Sequence, residues 1–304
     1  MHERGGDEVF GSLRLGAQAE WTGQGGTANQ GQIVLELCPL PSASPLTTFA
    51  TETLRRIAAA PPDPANLAAA LRHLAKWRAE VVANTIVARS GTKVRSGPFA
   101  GMDYAVRASE GTRAARLLGC YEASLAPVIE AIIARAYPLV IDVGCAEGYY
   151  AVGLARRMPA SRIMARDESP KAQALCRQLA ALNGVADRVE VGGRMEHADF
   201  AICDAQPTLI LCDIEGAEAD LLDPAVAKGL LSADILVEAH DVVQPGLADL
   251  ITSRFAATHH IARLGRQISG DLPDWMESLS DLDRLLALWE WRGGPTPWLW
   301  MQRK

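Results

Sequence analysis

Two hydrophobic rhythms divide the chain at Pro138. Upstream, apolar residues recur every three to four positions, the period of an amphipathic helix, whereas downstream short β-branched runs alternate with helical stretches. In the upstream part the spacing predicts a helix over 46–59, opened by Ser44-Pro45 and stopped by Pro61-Pro62. A second helix over 66–88 begins after Pro64 and carries an apolar stripe through Leu67, Leu71, Leu74, Trp77, Val81 and Ile86. A turn-rich stretch runs from Ser90-Gly91 to Gly101, and 111–135 reads as one or two helices. Downstream, strands are predicted at 139–143, 162–166, 189–191, 209–213, 235–238, 260–264 and 298–302, with helices such as 151–158 and 171–182 between them. The last of these strands, in the Trp-rich C-terminal segment, is expected to be antiparallel and to complete the sheet. Such alternation implies an α/β fold: a doubly wound, mostly parallel, seven-stranded Rossmann-like sheet with helices on both faces. The expected organisation is a flexible tail over 1–30, a mainly helical accessory or cap region over 31–110, and the α/β domain over 111–304. Within the first 45 residues, rich in Gly, Gln, Ser and Thr, only 32–38 alternates like a strand.

Composition narrows the function classes. The chain has 304 residues, 49% of them hydrophobic, enough for a sizeable core. A net charge of −6 argues against the broad basic face of a nucleic-acid binder. The six cysteines (Cys38, Cys120, Cys145, Cys176, Cys203, Cys212) form no Cys-x-x-Cys pair, which argues against a zinc or redox pair and suits a reducing compartment. Glu3, Asp7 and Glu8 near the start, with no apolar run after a basic segment, argue against a secretory signal. The apolar stretches fall short of the roughly 20 residues of a membrane span. A cytoplasmic protein with no membrane partner is expected.

Chemistry concentrates at the predicted strand ends. The run Val140-Ile141-Asp142-Val143-Gly144-Cys145-Ala146-Glu147-Gly148 is a strand ending in an acid, a turn through two glycines, and a helix start. Glycine there lets the backbone turn tightly and approach a ligand. A dinucleotide site prefers Gly-x-Gly-x-x-Gly, and here Ala146 stands where a second close glycine is expected. Asp167 follows at the end of the next strand, about twenty residues on, where a carboxylate recognises ribose hydroxyls; Glu168 is the neighbouring candidate. Arg194-Met195-Glu196 follows the third strand. Asp213-Ile214-Glu215-Gly216-Ala217-Glu218 brings three carboxylates into one turn after a buried strand. Such crowding is costly without a cation, a proton donor or a polar ligand nearby. Glu238-Ala239-His240-Asp241 ends the fifth strand.

The Asp-x-Gly-x-x-x-Gly loop resembles the first motif of class I S-adenosylmethionine (SAM)-dependent methyltransferases, and Asp-Ile-Glu-Gly-Ala-Glu resembles a motif of the FkbM-type methyltransferases, which act mainly on oxygen. The resemblance covers residues 138–242. It implies SAM as cofactor, held by Asp142, Gly144, Ala146, Gly148, Asp167, Glu168, Met195 and Asp213. Asp142 would approach the amino-acid part of SAM and Met195 would pack on the adenine. The segments 96–102 and 118–122 look family-like, without an assignable role.

Methyl transfer is a one-step displacement that needs alignment and a route for the acceptor's proton. His240 is the expected general base, oriented by Asp213 or Asp241. Tyr149, Tyr150, Glu215 and Asp241 are expected on the acceptor side, with Trp77 and Tyr121 as further lining candidates. The acceptor is expected to be a small molecule. No resident metal is expected, although Asp213, His240 and Asp241 together resemble the Mg²⁺ site of catechol-type O-methyltransferases. The N-terminal helices would form a cap or a homodimer surface. Two other readings compete, an NAD-dependent oxidoreductase and a non-catalytic SAM-binding protein.

Overall fold

Five consecutive buried residues, Leu139–Val143, form β1, with no polar alternation because helices cover both faces of the sheet. The computed structural model describes residues 44–61, 63–108 and 112–304. The expected tail and the strand-like 32–38 lie outside them. Around β1 the sheet comprises β2 (Arg162–Arg166), β3 (Val189–Gly192), β4 (Thr208–Cys212), β5 (Ala233–Glu238), β6 (His259–Leu264) and β7 (Trp298–Arg303). Their spatial order is β3-β2-β1-β4-β5-β7-β6. Strands β1 to β5 pair in parallel, and β7 enters antiparallel between β5 and β6. This is the expected seven-stranded, mostly parallel sheet. β1 and β2 fall at their expected bounds. β4 ends one residue earlier than expected, which frees the Asp213 side chain for the loop beyond.

Helices fill the crossovers. α1 (Pro45–Ala58) and α2 (Pro64–Ser90) precede the sheet, each with proline in its first turn and a side-chain cap, Ser44 and Asp63 respectively. α3 (Arg113–Leu118) and α4 (Ala126–Arg135) follow, then α5 (Tyr149–Arg157), α6 (Pro170–Leu182), the single turn α7 (Glu218–Leu221), α8 (Leu247–Phe255) and α9 (Asp281–Leu288). One core, with Val82, Ile86, Phe99, Tyr104, Ile129 and Leu154, packs on the Val140 face of β1. A second, with Phe200, Leu247 and Phe255, packs on the Leu139, Ile141 and Val143 face. Residues on both sides of position 110 thus share one core.

Of the two readings of 111–135, one helix or two, the structure has two. The 111–135 helix breaks at Gly119 (φ +78°) and Glu122 (φ 50°). A Cβ on Gly119 would lie 1.9 Å from the Ser96 carbonyl oxygen, and one on Gly97 2.3 Å from that of Gly119. The 96–102 and 118–122 segments are therefore locked backbone to backbone. By length and composition Arg113–Arg135 is apolar enough to cross a membrane, but it is broken here and buries Leu117, Leu118, Leu125 and Ile132 in the core. The α2 stripe fails in its first half. Val81 and Ile86 are buried, whereas Leu67 and Leu71 are 72% and 71% exposed.

Candidate functional site

β1 pairs with β2 on one side and β4 on the other, so the strand order reverses there. Open α/β sheets bind ligands at the carboxyl ends of the strands at such a switch point. A cavity of about 940 Å³ opens at this edge. Its floor depends on Gly144 (φ +80°): a Cβ there would sit 1.7 Å from the Asp213 backbone oxygen. Asp213 N–H donates to the Val143 oxygen at 2.9 Å, and Gly144 N–H to the Arg166 oxygen at 2.8 Å, which ties the ends of β1, β2 and β4 together.

Asp167, just beyond β2, reaches back to this turn. One carboxylate oxygen accepts Ala146 N–H at 2.9 Å and the other accepts Ser169 N–H at 2.8 Å. Ala146 holds φ 48°, a conformation costly for a residue with a Cβ, so the loop is shaped to meet that carboxylate. The start of α5 is covered. Gly148 (φ +94°) packs against Cys176, and Glu147, fully buried, accepts the Tyr104 hydroxyl at 2.6 Å and faces Arg116 Nε at 3.3 Å.

Across the cavity sits His240, 2% exposed. Its Nδ1 lies 2.7 Å from Glu218 Oε1, while Nε2 is 3.4 Å from Glu215, 3.6 Å from Asp213 and 3.7 Å from Glu238. Burial alone would lower the His240 pKa; the hydrogen bond to Glu218 and the surrounding acids outweigh it and raise it. Burial alone would raise that of Glu218, but the bond with His240 holds it below the usual carboxylate range. Asp213 is pushed well up by burial and by Glu238 and Glu122. Arg292, on the loop between α9 and β7, offsets part of this negative charge. It pairs with Glu122, with Glu238 at 2.5 Å and with Glu290 at 4.0 Å. That loop is pinned to the end of β5 by Ala239 N–H donating to the Pro297 oxygen at 2.8 Å.

No family model matches the chain, and no curated protein matches it. Solved structures do. An O-methyltransferase of tomaymycin synthesis from Streptomyces achromogenes, in complex with SAM, is 17% identical over 46% of this chain and 71% of that one, with a TM-score of 0.37. An O-methyltransferase from Bacillus cereus in complex with SAH is 12% identical, over 85% of this chain and all of that one, with a TM-score of 0.39. A B. subtilis tRNA methyltransferase is 10% identical over 56% of this chain and 63% of that one, with a TM-score of 0.36.

Of the residues singled out in the sequence, Gly144, Ala146, Asp167, Glu168, Met195, Asp213, Glu215 and His240 all line the one cavity, as does Tyr121. Five others do not. Asp142 is buried beneath the turn, where it accepts the Ala151 N–H, and burial pushes its carboxyl up to about 7. Gly148 is spent on packing against Cys176. Tyr149 lies edge-on to Phe99, Tyr104 and Tyr121 in an aromatic cluster, and the Tyr150 hydroxyl donates to Glu122. Asp241 faces away: it accepts Ala248 N–H at 2.9 Å at the start of α8 and pairs with Arg263 at 3.0 Å. Trp77 is half-buried outside the cavity. The residue that orients His240 is therefore Glu218, the third acid of the Asp-Ile-Glu-Gly-Ala-Glu run, and neither Asp213 nor Asp241. Glu122 lay in the family-like 118–122 segment without an assignable role, and Glu290 and Arg292 gave no sequence signal, because the three meet only through the fold.

Proposed function

We propose that the chain is a SAM-dependent methyltransferase that methylates a hydroxyl of a small molecule, with His240 as general base. The observation carrying this reading is the Glu218–His240 pair set opposite the Gly144–Ala146–Asp167 wall of a single cavity. With Nδ1–H donated to an ionised Glu218, the imidazole presents its Nε2 lone pair to an acceptor hydroxyl.

The residues present fit SAM. Asp167 keeps lone pairs free for ribose hydroxyls, and Met195, 2% exposed, supplies an apolar surface for the base. The Glu215 carboxylate, in the cavity lining beside Asp213, favours a sulfonium cation and would repel a diphosphate. Against the NAD-dependent reading, the turn amides that would cradle a pyrophosphate are engaged: Ala146 N–H by Asp167, Gly144 and Cys145 N–H by the Arg166 oxygen, and Gly148 N–H by the Cys145 oxygen. SAM supplies an electrophilic methyl group. The chain aligns the acceptor oxygen with it, excludes water, and takes the acceptor proton at His240 Nε2. The Asp-Ile-Glu-Gly-Ala-Glu run supports placing the protein with the FkbM-type enzymes. Calorimetry with SAM, S-adenosylhomocysteine and NAD tests the reading: heat with the first two and none with NAD is expected, and the reverse overturns it. A His240→Ala variant that binds S-adenosylhomocysteine but has lost transfer separates an enzyme from a non-catalytic binder.

A second reading is favoured by a specific observation. His240 Nε2, Asp213 Oδ1 and Glu238 Oε2 are buried without a hydrogen-bond partner. Asp213, Glu218 and His240 each offer a ligand atom within 4.8 Å of the others. A divalent cation suits this donor set, with Glu218 in place of the expected Asp241. It would hold acceptor oxygens and ease loss of their proton. Metal analysis of the purified protein, and activity after EDTA with and without Mg²⁺ or Mn²⁺, decide between the two.

A further inference from the structure

The wall of the cavity carries two cations, both from α2, without a matching anion. Arg72 and Lys76 lie one turn apart on α2, hence on one face of the helix, and both line the cavity. Arg72 donates to the Trp291 backbone oxygen and stacks over Trp289 at 5.7 Å; Lys76 sits over the Trp291 ring at 4.8 Å. Three other cavity cations are engaged: Arg116 with Glu147, Arg166 with Glu190 and Arg292 with Glu122 and Glu238; Lys171 and Arg194 line the cavity by the start of α6 and beyond β3, apart from α2 in sequence. Among the described residues no carboxylate lies within ion-pair distance of Arg72 or Lys76. Burial, with Arg72 beside it, holds the Lys76 ammonium below the usual lysine range, as befits a cation awaiting a counter-charge. Glu290 shares this wall but is turned to the Glu122 N–H at 2.9 Å and to Arg292. Like charges at this spacing destabilise a helix, so the pair costs folding energy that a bound anion would return.

We propose that Arg72 and Lys76 form an anion subsite, so that the acceptor is a hydroxyl compound bearing a carboxylate or a phosphate. This rests on the methyl-transfer reading. The anion is held at the mouth against the Trp289 and Trp291 rings, and the hydroxyl points inward to His240. A neutral acceptor of the same shape leaves both cations uncompensated, so the subsite sets specificity.

The test is calorimetry on the full chain saturated with S-adenosylhomocysteine, at constant ionic strength held with NaCl. Inorganic phosphate and succinate are titrated separately, to distinguish a phosphate-bearing from a carboxylate-bearing acceptor. At least one is expected to bind saturably, and about tenfold more weakly to the Arg72→Gln/Lys76→Gln variant. Lys76→Arg, which keeps the charge, is expected to retain binding. S-adenosylhomocysteine affinity should be the same in all three proteins, which shows that the variants are folded. Saturation by neither dianion, or equal binding to the double variant, overturns the subsite and leaves the methyl-transfer reading standing. Failure of S-adenosylhomocysteine to bind the wild-type protein instead overturns the reading on which the subsite rests.

Discussion

His240 Nδ1 and Glu218 Oε1 lie 2.7 Å apart, one residue arriving from the end of β5 and the other from the first turn of α7, both with almost no solvent contact. The pairing fixes which ring nitrogen faces the cavity. Glu218→Gln keeps the volume but removes the charge that favours a proton on Nδ1. Turnover is expected to fall by about one to two orders of magnitude, the usual cost of losing an orienting carboxylate. S-adenosylhomocysteine affinity should hold. An NMR titration should find the His240 pKa lowered from its wild-type value. Wild-type turnover in this variant would remove Glu218 from the chemistry.

Asp142 gives the molecule a pH dependence of its own. Burial pushes its folded-state carboxyl up to about 7, against about 3.9 in an unfolded chain. Between those values the folded protein holds a proton that the unfolded chain has released, so stability falls as pH rises through this window and levels off above it. The slope from this one group is at most about 1.4 kcal/mol per pH unit. Asp142→Asn mimics the protonated acid and can still accept from Ala151 N–H. Denaturant unfolding at pH 5 and pH 8 should show a smaller loss across that interval than in the wild type, with the variant the more stable of the two at pH 8. An unchanged difference between the two pH values would rule out Asp142 as its source.

Gly144 and Gly193 offer a matched comparison. A methyl group on Gly144 meets the Asp213 oxygen at 1.7 Å in a backbone conformation that L-residues avoid; one on Gly193 meets nothing within 4 Å. Gly144→Ala must push apart the ends of β1 and β4. It is expected to destabilise by about 3 kcal/mol or more and to abolish S-adenosylhomocysteine binding, whereas Gly193→Ala should stay within about 0.5 kcal/mol of wild type. Chemical denaturation of both variants checks this.

What could be read from the residues follows from how local the signal is. The Val140–Gly148 run declares its strand, turn and ligand edge by itself, because buried β-branched residues and strategically placed glycines act over a few positions. Asp167 and His240 were legible for the same reason, as polar residues closing apolar runs. The direction in which each side chain points was not. Tyr149 follows the glycine turn and Asp241 adjoins His240, yet one packs among aromatic rings and the other accepts an N–H at the start of α8. Leu67 and Leu71 kept the helical period without a surface to pack on. Arg292 was invisible, since its partners Glu122 and Glu238 come from distant segments and ion pairs leave no periodic trace.

Arg292, 12% exposed, is the cation that makes this concentration of buried acids tolerable. Burial and neighbouring acids already push Glu122 up to about 7 even with the guanidinium in contact. Arg292→Met keeps much of the length but leaves Glu122 and Glu238 without a counter-charge. Removing one partner of a buried pair costs about 3–5 kcal/mol, so a large fall in melting temperature is expected at neutral pH. With Arg292 gone, the folded pKa of Glu122 rises further, and buried negative charge on the two glutamates goes uncompensated. The deficit relative to wild type should therefore shrink as pH falls towards 5, where the folded protein can protonate them, and adding Glu122→Gln should restore part of the lost stability at pH 7. Thermal melts of the three proteins at both pH values decide it. A deficit that is the same at pH 5 and pH 7 would mean that Arg292 acts through packing rather than charge.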